Sequence, residues 1–213
     1  KVTAGEEGTA NITVTAENGN ITAVCKVTVT YQGAWKQNSR GWWYCYSDGT
    51  WPAEWRLKIG TYYYHFDADG YMKTGWAYIG GRWSYHRTDG GALTGWQKIG
   101  NTWYYLNTNS IMATGWLTQG NTWYYLNGSG AMQTGWYKVG STWYYSSSSG
   151  AMQTGWQKIG GTWYYLKSSG AMATGWIQLG GKWYYLYSNG AMASNTWVGK
   201  YYVNGSGVWT KTR

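Results

Sequence analysis

The sequence predicts an all-β protein, a β-hairpin solenoid made of repeats about twenty residues long. From about Thr74 to Trp197 one pattern recurs, as in TGWQKIGNTWYYLNTNSIMA and TGWYKVGSTWYYSSSSGAMQ, and a fixed period of this length is typical of stacked arrays. In each repeat a Gly-containing pair separates two short aromatic segments, which indicates a two-residue hairpin turn. The third observation is composition: 19 Trp and 23 Tyr against one Phe predict an aromatic core laid down in layers.

The hairpin of one regular repeat can be drawn from its sequence. If Gly100 and Asn101 form the turn, Trp96 faces Tyr105 and Lys98 faces Trp103. Alternation then puts Trp96, Lys98, Trp103 and Tyr105 on one face, and Gln97, Ile99, Thr102, Tyr104 and Leu106 on the other. The following NTNSIMATG is the loop that leads to the next hairpin.

Four segments are expected along the chain. Residues 1–31 alternate at period two around an Asn18-Gly19 turn, which predicts a separate hairpin. Residues 32–75 hold two irregular repeats, 76–196 the regular ones, and 197–213 a shortened terminal hairpin, since the ends of an array are atypical because they cap the stack. The chain opens in mid-strand without a signal peptide, so we expect domains upstream of it in the same polypeptide.

The distribution of chemistry-bearing side chains excludes several functions. The net charge is +9, and all eight carboxylates, both histidines (His65, His86) and both cysteines (Cys25, Cys45) precede residue 90. Residues 90–213 therefore lack the groups for acid–base catalysis or an ordinary metal site, and we expect no enzyme, no catalytic residue, no metal and no cofactor. The lysines are scattered singly, so nucleic acid is not a predicted partner, and no apolar run is long enough to span a membrane. The charge either keeps a ring-rich surface soluble or attracts a polyanion.

The repeats resemble a known family. The pattern TGWxxxGxxWYYLxxxGAM is similar to the choline-binding, or cell-wall-binding, repeats of bacterial surface proteins and wall hydrolases, over residues 32–213. The segment GTANITVTAENGNITAVCKVTVTY resembles the last two strands of a bacterial immunoglobulin-like domain of group 2. The first resemblance implies a superhelix of hairpins with ligand cages between consecutive repeats. Each cage would take the leading and hairpin Trp of one repeat, the second Tyr of the next, and the Met of the intervening loop.

Carried over by residue, the resemblance implies four full cages and two weaker ones. The four are Trp96, Trp103, Met112 and Tyr125; Trp116, Trp123, Met132 and Tyr145; Trp136, Trp143, Met152 and Tyr165; and Trp156, Trp163, Met172 and Tyr185. The weaker ones are Trp76, Trp83 and Tyr105, where Ala92 replaces the Met, and Trp176, Trp183, Met192 and Tyr202. No cage is expected before Trp76, because Arg56 takes the place of the leading Trp.

The function expected from these residues is a non-catalytic module, extracellular on the bacterial cell wall, that anchors a secreted protein. Its partner would be choline-bearing teichoic acid or another wall polysaccharide, bound at several sites. Two alternatives stay open. Related aromatic repeats occur in α-glucan enzymes, so the module is alternatively a carbohydrate-binding one, or it is the stalk of an adhesin with a protein partner, in which the rings form the core.

Overall fold

The computed structural model describes residues 8–15, 22–29 and 32–213 and has two compact units, Lys1–Ala113 and Thr114–Arg213. The strands of the first unit are β1 (Gly8–Thr15), β2 (Thr22–Val29), β3 (Gly33–Gln37), β4 (Trp42–Tyr46), β5 (Arg56–Ile59), β6 (Tyr62–His65), β7 (Gly75–Ile79), β8 (Arg82–His86), β9 (Gly95–Ile99) and β10 (Thr102–Leu106). Those of the second are β11 (Gly115–Gln119), β12 (Thr122–Leu126), β13 (Gly135–Val139), β14 (Thr142–Ser146), β15 (Gly155–Ile159), β16 (Thr162–Leu166), β17 (Gly175–Leu179), β18 (Lys182–Leu186), β19 (Thr196–Val198), β20 (Tyr201–Val203) and β21 (Trp209–Thr212).

Successive strands pair antiparallel in two-stranded hairpins, with a third strand, β21, added to the last one. The register of β9 and β10 matches the drawn hairpin, with Trp96 opposite Tyr105 and Lys98 opposite Trp103. Gly100 in the turn has φ +61°, a conformation that glycine adopts without strain. The predicted class, an all-β hairpin solenoid, is confirmed.

The segment before the repeats forms the predicted antiparallel pair, in which Ile12 faces Cys25. The Asn18-Gly19 turn lies outside the described residues. Val14 and Val24 are more than 60% exposed and Cys25 is exposed, so the alternating pattern has set the pairing of β1 and β2 but these apolar side chains stay in contact with solvent.

Loops join the hairpins through a local hydrogen-bonded fold. In the loop after β12, the Asn127 Oδ1 atom accepts hydrogen bonds from the amides of Ser129 and Ala131, and the Gly130 amide donates to the Asn127 carbonyl. An Asn or Asp side chain favours such a turn because it bonds to backbone two residues on. Asp67, Asn107 and Asn204 make the corresponding bonds in their own loops.

Two adjacent amides in each loop link one hairpin to the previous one. The Ala173 amide donates to the Tyr165 carbonyl of the hairpin just completed, and the Met172 amide donates to the Trp143 carbonyl of the hairpin before it, at 2.8 Å in both cases. Neighbouring amides of an extended segment point in opposite directions, so one loop can serve two hairpins. This bond repeats from Met152 to Trp123 and from Met192 to Trp163.

The fully buried side chain of a regular repeat is the last residue of its second strand. Leu126, Leu166 and Leu186 are 0% exposed. In the first unit, Leu106 has the same place, while Phe66 is buried with Tyr44 and Leu57 in the irregular repeats. Within each unit, most hairpins therefore contribute a single large aliphatic side chain to the core.

Candidate functional site

The aromatic rings form grooves that open to solvent between consecutive hairpins. In the second unit, two of these grooves are lined by Trp136, Trp143, Tyr164 and Met172, and by Trp156, Trp163, Tyr184 and Met192. The hairpin tryptophans stay partly exposed, at 42% for Trp143 and 41% for Trp163. Because a ring kept for core packing would be covered, this exposure marks one wall of an open groove rather than part of the core.

The walls of a groove meet at steep angles. Trp156 lies 6.3 Å from Trp163 at an interplanar angle of 89°, and 5.0 Å from Tyr184 at 65°, measured between ring centroids. Three rings so arranged surround a space from different sides, and an aromatic face attracts a cation. A methionine supplies a polarizable fourth contact.

The tyrosine of each groove differs from the one that the resemblance implied. The structure brings Tyr144, Tyr164 and Tyr184 to the leading tryptophan of the previous repeat, at 4.8, 4.9 and 5.0 Å. The expected Tyr145, Tyr165 and Tyr185 instead pack on the leading tryptophan of their own hairpin, at 5.1 to 5.2 Å. The reason is alternation: the tryptophan-bearing face of one hairpin meets the opposite face of the next, and that face carries the first tyrosine of the pair.

The methionine is also displaced by one repeat. Met152 and Met172 were expected beside Trp136 and Trp156, but their amides bond to Trp123 and Trp143. Met172 accordingly lines the Trp136 groove, and Met192 lines the Trp156 groove. The Met152 amide makes the equivalent bond to the Trp123 carbonyl, so by analogy with Met172 and Met192 we assign Met152 to the groove of Trp116, Trp123 and Tyr144. For Met132 the structure shows a contact with Gly150, where an added Cβ would come within 2.3 Å of its sulfur.

The groove of the last regular repeat uses an unpredicted tryptophan. Trp176 and Trp183 are joined by Tyr201 and Trp209, not by Met192 and Tyr202. Trp209 lies 5.2 Å from Tyr201, while Tyr202 packs on Trp197 in its own hairpin. The sequence did carry the signal, because NGSGVW at residues 204–209 matches NGSGAM at 127–132 and so puts Trp209 in the methionine position.

In the first unit, one groove is more complete than expected. Trp76 lies 6.0 Å from Trp83 and 4.9 Å from Tyr104, and the Met112 amide donates to the Trp83 carbonyl. The replacement of a methionine by Ala92 therefore does not affect this groove. Tyr105, expected here, packs instead on Trp96 at 5.3 Å, across its own hairpin.

The cage implied for Trp96 and Trp103 is not assembled as expected within the first unit. Trp103 is 41% exposed, like the other hairpin tryptophans, but Met112 belongs with Trp83. Tyr125 lies in the second unit, where it packs on Trp116 at 4.9 Å.

Arginines cover aromatic rings in the first irregular hairpins and after the last repeat. The Arg56 guanidinium lies 4.1 Å from the Tyr63 ring centroid, and its Nη1 donates to the Asn109 carbonyl. The Arg213 guanidinium lies 4.8 Å from the Trp197 ring centroid. Tyr63 takes the place of a hairpin tryptophan, and the Arg56 guanidinium covers its ring. This agrees with the expectation that no cage forms before Trp76, since Arg56 takes the place of the leading Trp.

Two buried histidines belong to no groove. His65 Nδ1 and His86 Nε2 are 2.6 Å apart, and the Ser84 hydroxyl lies within 3.0 Å of both nitrogens. Burial lowers the pKa of His65 to about 3, with smaller effects of His86 and Arg56, and burial also lowers the pKa of His86. Among residues 8–15, 22–29 and 32–213, no three His, Cys, Asp or Glu side chains come together as a metal site would need. In the same part of the chain, no helix has the length and apolar character needed to cross a membrane.

Comparison with known proteins finds one family. The model of the choline-binding repeat matches residues 93–134, 133–167 and 153–197, and that of a putative cell wall binding repeat matches 57–72 and 74–92. No curated protein matches the chain.

Several solved structures are similar. Choline binding protein F from Streptococcus pneumoniae, crystallised with a peptidoglycan analogue, is 33% identical with a TM-score of 0.75, over 97% of this chain and 71% of that one. Another crystal form of that protein is 39% identical with a TM-score of 0.74, over 80% of this chain and 61% of that one. The choline-binding domain of CbpL from S. pneumoniae is 33% identical with a TM-score of 0.62, over 86% of this chain and all of that domain. The modular autolysin LytC of S. pneumoniae is 28% identical with a TM-score of 0.62, over 84% of this chain and 42% of that one.

Proposed function

Because the chain belongs to the choline-binding repeat family, we propose that its ring grooves bind the choline of bacterial wall teichoic acid and that the module itself is non-catalytic. The observation that carries the proposal is the Trp156 groove, where two tryptophans and a tyrosine stand at steep angles around an open space beside Met192. The four grooves of matching design are Trp76, Trp83, Tyr104 and Met112; Trp116, Trp123, Tyr144 and Met152; Trp136, Trp143, Tyr164 and Met172; and Trp176, Trp183, Tyr201 and Trp209.

The chemistry of these grooves favours a quaternary ammonium over a primary one. A primary ammonium carries N–H donors that need acceptors when they leave water, and the chain contains no Asp or Glu after Asp89. A trimethylammonium group has no N–H to satisfy, so ring faces and a thioether can bind it by cation–π and apolar contact alone.

The charge pattern supports an anionic polymer as the carrier of the choline. Lys138 and Lys158 stand directly opposite Trp143 and Trp163 in their hairpins, so the walls of these two grooves each have an ammonium group on the neighbouring strand. Such a lysine attracts the phosphate that adjoins choline in a phosphodiester. The net charge of +9 acts in the same direction over the whole chain.

Several grooves in one chain suit attachment to a surface. Each groove binds weakly, but a polymer held at one groove presents its next choline to another at high effective concentration. We accordingly propose an extracellular module at the cell wall that attaches upstream domains of its own polypeptide. The segments 1–31, 32–75, 76–196 and 197–213 are proposed as its strand pair from an Ig-like domain, capping repeats, binding repeats and terminal cap.

A titration followed by tryptophan fluorescence and by thermal unfolding tests the proposal. Choline at millimolar concentration should change the fluorescence and raise the unfolding midpoint, since a ligand that binds only the folded state stabilises it. Dextran serves as the comparison ligand. A response to dextran alone would favour a glucan-binding module, and no response to either would favour a stalk.

The role of the lysines is tested with matched positions. Lys158→Gln should lower the affinity of the Trp156 groove for phosphocholine and leave its affinity for free choline nearly unchanged. Gln178 faces Trp183 in the next hairpin and provides the reciprocal control. Gln178→Lys should raise the affinity of the Trp176 groove for phosphocholine. Equal effects on both ligands would contradict a phosphate contact.

A further inference from the structure

A pocket of different chemistry lies between hairpin β5–β6 and hairpin β7–β8. Two tryptophans line it, Trp55 at 49% and Trp83 at 43% exposure, and Ile79 and Ile111 add apolar surface. Unlike the ring grooves, this pocket is also lined by Glu54, Arg56 and Arg82. It therefore offers flat rings together with charged hydrogen-bonding groups.

The Arg56 side chain and the Glu54 backbone are held by their surroundings. Arg56 is held by its contact with the Tyr63 ring and by its hydrogen bond to the Asn109 carbonyl, so its guanidinium cannot leave the pocket wall freely. Glu54 adopts φ +48°, a conformation that costs energy for a residue with a Cβ, and its amide donates to the Asp67 carbonyl. The Arg56 guanidinium is therefore a preorganised part of the pocket lining, and the Glu54 backbone places its side chain at the pocket.

A hydrogen-bond acceptor at the pocket follows from the histidine pair. His86 Nδ1 lies 2.8 Å from the Gly90 carbonyl, which can only accept, so this nitrogen carries a proton. Neutral His86 then has a bare Nε2, and the hydrogen bond at 2.6 Å requires that His65 Nδ1 donates to it. His65, only 5% exposed, is consequently left with an unprotonated Nε2, and this residue lines the pocket.

We propose that this pocket binds a pyranose sugar of a wall polysaccharide, at a site that differs in chemistry from the ammonium grooves and shares only Trp83 with one of them, the Trp76 groove. A sugar ring stacks its C–H face on an aromatic ring, and its hydroxyls both donate and accept hydrogen bonds. Glu54 and His65 Nε2 accept from hydroxyls, while Arg56 and Arg82 donate to ring or hydroxyl oxygens. Choline fits poorly, because it has no N–H to donate and the two guanidinium groups repel it.

Titration of the intact chain with chitotriose and with maltotriose tests the proposal and separates an amino-sugar polymer from a glucan. Binding of either should move the ¹⁵N resonance of the unprotonated His65 Nε2, a signal that a merely structural histidine would not give. Trp55→Ala should weaken the binding by about tenfold, as truncation of a central aromatic contact does. Glu54→Gln should weaken it by about threefold to tenfold, through loss of a charged acceptor.

Trp143→Ala is the matched control, because it removes a half-exposed tryptophan that belongs to a ring groove instead. It should lower choline binding and leave the trisaccharide affinity unchanged. Trp55→Ala should lower the trisaccharide affinity and leave choline binding unchanged. The proposal is overturned if neither trisaccharide gives a saturable change, or if Trp55→Ala binds the sugar as tightly as the parent. The choline arm is read separately, so failure of this site and failure of the proposed choline site are distinguishable.

Discussion

At the scale of single residues, a residue that differs from the repeat pattern is accompanied by a second change that fills or frees the space beside it. Ser146, at the end of β14, replaces the buried leucine and is itself 0% exposed, while its hydroxyl hydrogen-bonds to the Tyr137 hydroxyl at 3.1 Å. Tyr137 is 6% exposed, so its ring fills space beside the smaller serine. A run of four serines, as at residues 146–149, is typical of a loop that tolerates substitution, but its first member is a buried strand residue.

A second compensation involves glycine and methionine. At Gly150, Gly170 and Gly190 an added Cβ would come within 2.3 Å of the sulfur of the methionine eighteen residues earlier. The equivalent residue in the loop after β10 is Ser110, with φ +60° and 2% exposure. Eighteen residues before Ser110 stands Ala92 rather than methionine, so the space for a Cβ exists there.

We predict that Ala92→Met destabilises the chain by about 1–3 kcal/mol, because the new side chain is forced against the Cβ of Ser110. Ser110→Gly should recover most of this loss in the double variant, although alone it should change stability little. Urea unfolding of the four members of the cycle measures the coupling. Additive effects of the two substitutions would show that the two side chains do not compete for space.

The histidine pair predicts a pH dependence of stability. The folded-state pKa of His65 is about 3, far below the value of 6.5 for a free histidine, so the unfolded chain binds more protons between these values. The free energy of unfolding should therefore fall as the pH drops below about 6.5, by up to about 1.4 kcal/mol per pH unit for each imidazole that stays neutral.

Chemical unfolding at pH 7.0, 6.0 and 5.0 measures this loss above the range in which the aspartates titrate. The control is His65→Tyr/His86→Leu, which restores the residues found at these positions in regular repeats. Its stability should change less over the same range, and an unchanged pH dependence would exclude the histidines as its source. Arg56, the charged group that lowers the His65 pKa, is retained in both proteins.

At the scale of the hairpin, the two tyrosines that follow each hairpin tryptophan pack against different repeats. Tyr164 reaches the Trp136 groove of the previous repeat, whereas Tyr165 packs at 5.2 Å on Trp156 of its own hairpin. The two differ by one residue, and therefore by one face of the strand.

We predict that Tyr164→Leu removes choline binding at the Trp136 groove, because the groove loses one of its three ring faces. Tyr165→Leu should retain a site there and disturb the packing of Trp156. Isothermal titration with choline counts the sites, and thermal unfolding reports the folded state of each variant. Loss of the Trp136 site in Tyr165→Leu alone would restore the assignment implied by the family resemblance.

At the scale of the whole molecule, the proposed attachment to the cell wall would depend on the number of grooves that act on one polymer. We predict that Trp143→Ala/Trp183→Ala lowers the number of choline molecules bound by two. It should also weaken retention on choline-bearing cell walls by more than the fraction of grooves lost. The reason is that a polymer held at one groove presents its next choline to the others at high effective concentration, and each lost groove removes this benefit.

Equilibrium dialysis measures the number of bound cholines, and wall sedimentation measures retention. The control is Trp42→Ala, which removes a tryptophan of similar exposure that lines none of the grooves described above. A proportional loss of wall binding would mean that the grooves act independently.

The period, the hairpin register and the two faces of each hairpin were determined by the sequence, because a two-residue glycine turn and strict alternation are local properties of the chain. The sequence also predicted that the leading and hairpin tryptophans of each repeat line the grooves. Which tyrosine and which methionine complete a groove was decided by tertiary structure, since it depends on which face the next hairpin turns inward and on the hydrogen bond that carries Met172 back to Trp143. The pocket at Trp55 and His65 likewise arises from residues far apart in sequence, from Glu54 to Ile111, that only the stacking of hairpins brings together.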